Sequence, residues 1–101
     1  MKKTVYISGP ISGMPDGNVE SFEAAEALLR KQGYCVINPH AIYHPADSSW
    51  IDYMRRDIAA LLIADEVYAL HGWRDSRGAR LEILIAKELD MPVTEQPDCE
   101  R

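Results

Sequence analysis

Thr4-Val5-Tyr6-Ile7-Ser8-Gly9-Pro10-Ile11-Ser12-Gly13 is the stretch that decides the fold. Its first five residues are rich in β-formers, and Gly9-Pro10 ends the run. A Gly/Pro-rich loop, 9–18, follows. Phe22, Ala25 and Leu29 then recur at helical spacing within 19–31, and Gln32-Gly33 stops the helix. Strand, loop and helix recur from there on. A second strand at 34–37 ends at Asn38-Pro39, and a loop at 40–48 leads to Ser48 or Ser49, either of which can cap a helix over 50–64. A third strand at 66–70 and a loop at 71–76 precede a helix opened by Ser76 and Gly78 and running to about Leu89. A fourth strand at 92–94 closes the series.

The order β-α-β-α-β-α-β predicts an α/β three-layer sandwich around a parallel sheet. Four strands are expected, with a fifth allowed, in the flavodoxin- or Rossmann-like order 2-1-3-4. Residues 1–94 read as one domain and 95–101 as a polar tail. Ligands of such sheets bind beyond the carboxyl ends of the strands, at the switch point. Here that crevice falls between the loops 9–18 and 71–76.

One acid sits in the wrong place for a structural helix. Glu82 shares a helical face with Gly78, Ala79, Ile85, Ala86 and Leu89, while Arg80 and Lys87 point the other way. An unpaired buried carboxylate costs several kcal/mol or shifts its pKa, so a partner or a chemical use is expected. Asp57 is the second such acid, projected among Trp50, Tyr53, Met54, Leu61 and Ala64. It is either a salt-bridge or capping residue, or an acid facing the crevice. Two inward carboxylates on different helices suggest divided roles, one ionised and one sharing a proton.

Other residues carry paired readings. Tyr6 alternates with Val5 and Ile7, so it faces the opposite side, as a packed tyrosine or as a hydroxyl holding a nucleophile. The spacing of Gly9, Gly13 and Gly17 fits neither a dinucleotide fingerprint nor a P-loop. The amides of Ser8, Gly9, Ile11 and Gly13 can still cradle a sugar or phosphate. Ser76 and Gly78 lie at the positive end of the last helix, suited to capping or to an anionic group. His40 and His44 are four apart, but Pro39 and Pro45 break the helix that a metal pair would need, so no metal is expected. His71 reads as a loop histidine. Trp50, Trp73, Met14 and Met54 can pack the core or cover an aromatic base.

Hydrophobic residues make up 47% and charged residues 27% of the 101, an ordinary globular composition. A net charge of −5 argues against a nucleic-acid backbone or an anionic membrane as partner. No apolar run approaches the ~18 residues of a span. The start of the chain lacks a signal-peptide core, so a cytoplasmic location is expected. Of the two cysteines, Cys35 is expected in a core strand and Cys99 exposed in the tail.

Together, Tyr6-Ile7-Ser8-Gly9-Pro10-Ile11-Ser12-Gly13, Asp57 with Ala64-Asp65-Glu66-Val67, and Ser76-x-Gly78-x-x-x-Glu82 resemble the nucleoside 2-deoxyribosyltransferase superfamily, including its deoxynucleoside 5′-monophosphate N-hydrolases. The closest look is to short, phage-type members of unknown function. The resemblance implies that Glu82 is a nucleophile for the anomeric carbon, that Tyr6 positions it, and that Asp57 is the acid near base and sugar. Ser76 and Gly78 would hold a base or a 5′-phosphate. The chain departs from the hydrolases at Ser12, where they carry an arginine. The resemblance further implies a nucleoside or nucleotide as small-molecule partner, no cofactor, and a homodimer. The alternatives are a nucleotide-binding or sequestering module without catalysis, and a structural protein that keeps only the fold.

Overall fold

Alternation along the first strand sets the layers. In the computed structural model, which describes residues 2–97, β1 (Thr4–Ser8) sends Val5 and Ile7 to one face and Tyr6 to the other. β2 (Cys35–Ile37) and β3 (Glu66–Ala69) flank β1 in parallel, and β4 (Val93–Glu95) pairs with β3, giving the order β2-β1-β3-β4. The predicted class, strand number and order are those observed. The central strands β1 and β3 are buried on both faces, which is why they read as nearly continuous apolar runs.

The two faces are covered differently. α1 (Val19–Lys31) lays Phe22, Ala25 and Leu29 against Val5, Ile7, Tyr68 and Leu70. Phe22 is fully buried there, a contact of the kind whose truncation to Ala costs ~3–5 kcal/mol. α2 (Trp50–Leu61) and α3 (Arg77–Glu88) cover the other face, where Leu61, Ile83 and Ala86 meet Tyr6, Val67 and Ala69. Ser49 and Asp52 form a reciprocal capping box that starts α2.

Several boundaries differ from the sequence reading. α2 stops at Leu61 because Ile63 and Ala64 donate back to Ala60 and Leu61, three residues behind, and tighten the last turn. Asp65 then clips the start of β1: its amide donates to the Thr4 carbonyl and its carboxylate accepts from the Thr4 amide, both at 2.8 Å. β4 includes Glu95, and the Gln96 amide still donates to the Ala69 carbonyl, so the ordered sheet runs past the expected start of the tail. Leu89 is exposed rather than on the buried face, since the chain reverses at Asp90 (φ 58°) and the Met91 amide closes onto Ala86. Cys35 is exposed rather than in the core, because it opens a three-residue strand on the sheet edge. Cys99 lies outside the described residues.

Gly9 sits at the carboxyl end of β1 for a packing reason. A Cβ there would come within 2.8 Å of Leu70 Cβ and Cδ1, in the core. Gly9→Ala is expected to destabilise the chain by ~1–3 kcal/mol, the usual cost of overpacking. Urea unfolding should show a lower midpoint with unchanged slope. In a Leu70→Ala background, which removes Cγ and Cδ1 but keeps the Cβ contact, the same substitution should cost less but not nothing, a partial coupling that a double-mutant cycle reads directly.

Candidate active site

The period of two that places Tyr6 beneath α3 places Ser8 there as well. Both hydroxyls meet Glu82, which comes from the second turn of α3 and is 4% exposed. Tyr6 donates its hydroxyl to Oε2 and Ser8 donates Oγ–H to Oε1, each at 2.7 Å. Burial pushes the Glu82 carboxyl up to about 7; the Ser8 and Tyr6 hydrogen bonds pull it down, and the charge of Asp57 pushes it up further. Burial, then the charges of Glu82 and Asp57, hold the Tyr6 phenol far above its ordinary value, so it remains an O–H donor.

Asp57 occupies the third turn of α2 and is equally buried. Its Oδ1 lies 2.8 Å from His44 Nε2, and the His44 ring stacks on Tyr53 with centroids 3.9 Å apart. Burial raises the Asp57 carboxyl, and the hydrogen bond and charge of His44, then the charge of His40, draw it back.

Glu82 and Asp57 line one cavity of about 370 Å³. Gly9, Ile11 and Ser12 wall it on the β1 side, Pro39 and Ser48 from the loop before α2, Trp50, Tyr53 and Met54 from α2, and Ser76, Gly78 and Ala79 from the start of α3. Ser76 caps α3 by accepting from the Ala79 amide at 3.2 Å, which leaves its own O–H free to donate into the cavity. Gly78 lets α2 approach α3: a Cβ there would stand 3.0 Å from Met54 Sδ. Ser48 Oγ is buried in the wall without a hydrogen-bond partner among the described residues. At the rim, the Arg77 guanidinium lies 3.7 Å over the Trp50 ring, a cation beside the first turn of α3.

The chain matches, over residues 3–95, the family described as "Domain of unknown function (DUF4406)". It belongs to that family. No curated protein matches the chain. Among solved structures, the DUF4406 chain is similar to a 2-deoxyribosyltransferase from the psychrotolerant bacterium Bacillus psychrosaccharolyticus, with a TM-score of 0.72 and 18% identity over 97% of this chain and 77% of that one. It is also similar to a 2-desoxiribosyltransferase from Leishmania mexicana, with a TM-score of 0.71 and 18% identity over 92% of this chain and 63% of that one. The solution structure of BlsM gives a TM-score of 0.69 and 22% identity over 93% of this chain and 64% of that one. At these identities the likeness is one of fold. The chain spans between 63% and 77% of the length of these three.

Within this DUF4406 chain, most of the residues singled out from sequence converge. Glu82, Asp57, Gly9, Ile11, Ser76 and Gly78 all line the cavity, and Tyr6 stands behind Glu82. Two do not fit the sequence reading. Ser8 was assigned to a substrate cradle, but it is fully buried with its hydroxyl on Glu82, because it still belongs to the strand. Gly13 lies outside the lining, in an exposed turn where its φ of 80° is what calls for glycine. His44, weighed only as a metal ligand, is instead the partner of Asp57. Among the described residues no group of three His, Cys, Asp or Glu is placed to hold a metal ion.

The elevated Glu82 carboxyl has a consequence for stability. Between its ordinary 4.5 and about 7, the folded chain keeps a proton that the unfolded chain has lost. Stability therefore falls as pH rises through that window, and the penalty is complete above it. Glu82→Gln should be about as stable as the parent at pH 4 and more stable by up to roughly 3 kcal/mol at pH 8. Paired urea titrations across pH check this; a constant difference at all pH values would contradict it.

Proposed function

We propose that this protein cleaves or transfers at the N-glycosidic bond of a (deoxy)nucleoside or nucleoside 5′-monophosphate, with Glu82 as nucleophile. The observation that carries the reading is the Glu82 carboxylate in a cavity wall, held by two hydroxyl donors from one strand face. Cleavage of such a bond passes through an oxocarbenium-like state. A fixed carboxylate either stabilises that positive charge or bonds to the anomeric carbon. Tyr6 and Ser8 set the carboxylate's orientation. Asp57, whose carboxyl burial raises, gives a proton to the departing base. Water or a second base then resolves the glycosyl–Glu82 ester. Ser76, Arg77 and the first turn of α3 suit a 5′-phosphate or another anionic group at the rim.

A second reading, nucleotide binding without turnover, is favoured by one observation: burial leaves Glu82 partly neutral near pH 7, and a neutral acid is no nucleophile. The two separate cleanly. A panel of ribo- and deoxynucleosides and their 5′-monophosphates, assayed by chromatography for released base, should show turnover with at least one member. Glu82→Ala should lower it by about a thousandfold or more. On the acid side the rate should rise with pH through about 7 as Glu82 ionises. Tight binding by calorimetry with no release from any substrate would favour the binding module; release that persists in Glu82→Ala would remove Glu82 from the chemistry.

A further inference from the structure

Two cavities meet at one buried pair. Beside the main cavity lies a second cleft of about 250 Å³, and the two share Ile11, Pro39 and Tyr53 as walls. Asp57 lines the first and not the second; His44 lines the second and not the first. Their side chains are 6% and 9% exposed, and the 2.8 Å contact between Asp57 Oδ1 and His44 Nε2 spans the partition. Tyr53 fixes the imidazole from one side, with ring planes within 10° of parallel.

A carboxyl group that gives up its proton in such a place becomes a buried anion, which is costly without a donor. A donor already aimed at the oxygen where charge develops lowers that cost in the transition state more than in the ground state. We propose that His44 is the positioning residue of Asp57: its Nε2 holds Oδ1, leaves the other carboxyl oxygen for the leaving base, and stabilises the carboxylate as the proton departs. For its turnover part this rests on the N-glycosidic reading above. As the C1′–N bond breaks, its electron pair goes to the base, and the base nitrogen takes the proton of the Asp57 carboxyl. A Glu82 oxygen supplies the pair for the new bond to C1′. The water or base that later attacks C1′ returns a proton to Asp57, and His44 keeps its own proton throughout. The second cleft leaves the imidazole in touch with solvent while the first cavity is filled. The other titratable groups facing the pair are Glu82 from α3, Tyr6 from β1, Tyr53 from α2, and His40 from the loop that carries His44.

The test has two arms. In the free protein, the Asp57 carboxyl carbon is titrated by NMR in the parent and in His44→Phe. The expected result is that His44→Phe moves the Asp57 carboxyl further up. An Asp57 titration unmoved in His44→Phe overturns the proposal, whatever the activity. In the turnover arm, His44→Phe should lower kcat by about tenfold or more with a small effect on KM. The loss should be greatest for substrates whose base is the poorest leaving group. His44→Gln, which keeps an N–H donor, should recover most of the rate, and thermal melts confirm that both variants fold. Equal losses for good and poor leaving groups would make His44 a packing residue and overturn the proposal. Absence of release by the parent protein would overturn the N-glycosidic reading alone, and the NMR arm would still decide the pair.

Discussion

A carboxylate on the apolar side of α3 is the constraint on which the site depends. Among the described residues no cation is paired with Glu82; Tyr6 and Ser8 hold it with neutral hydroxyls. That choice has a consequence. A lysine or arginine partner would have fixed the charge and drawn the carboxylate into an ion pair. Two hydroxyls orient both oxygens yet leave the negative charge uncompensated, so burial still raises the carboxyl to about 7. The two donors come from positions i and i+2 of one central strand, the shortest spacing that puts both on the same face. β1 must therefore be flanked on both edges, and α3 must cross above its carboxyl end. Both conditions follow from the order β2-β1-β3-β4.

Two glycines in the cavity wall let neighbouring side chains pack closely against the backbone. At Gly78 the missing Cβ lets Met54 and Trp50 come close to the start of α3. At Gly9 it makes room for Leu70 of the core beneath α1. Neither position needs a left-handed backbone, so both are glycine for packing, unlike Gly13 and Gly17 in the loop after β1. The walls that result are mixed. Trp50, Tyr53 and Met54 offer faces to an aromatic ring, while Ser48, Ser76 and Asp57 offer polar groups. Such a lining suits a ligand with a flat apolar part and a polar part.

What the sequence made legible was local and periodic. The helical projection of Glu82 and Asp57, and the strand alternation that turns Tyr6 inward, needed only a few neighbours each, and all three carboxyl or hydroxyl groups lie where those periods put them. Ser8 carries the same signal, since it stands two residues from Tyr6 in the same strand run, but a reading of its amide as part of the cradle after the strand leaves out where its hydroxyl points. Cys35 was open to a better reading too, because the expected strand order already made its strand an edge. His44 was not legible. It reaches Asp57 from an aperiodic loop bounded by Pro39 and Pro45, and nothing in the spacing of a loop residue says which helix it will touch. The ends of elements, such as Leu89, depend on where the chain reverses, which tertiary contacts decide.

The two buried acids also act on each other. The charge of Asp57 raises the proton affinity of Glu82, since a second negative charge in one small cavity is disfavoured. The empty site therefore favours fewer charges than two free carboxylates would carry. A sugar whose anomeric carbon becomes positive reverses that balance. The ionised form of Glu82, disfavoured by desolvation in the empty cavity, is the form that such a carbon attracts, and the low polarisability of the surroundings strengthens the attraction. Under the proposed function, Asp57 then loses its proton toward a departing base just as the positive charge beside it is being neutralised. Under the proposed function, burial of these acids is what makes their interaction with the reacting centre stronger at the transition state than with the bound substrate.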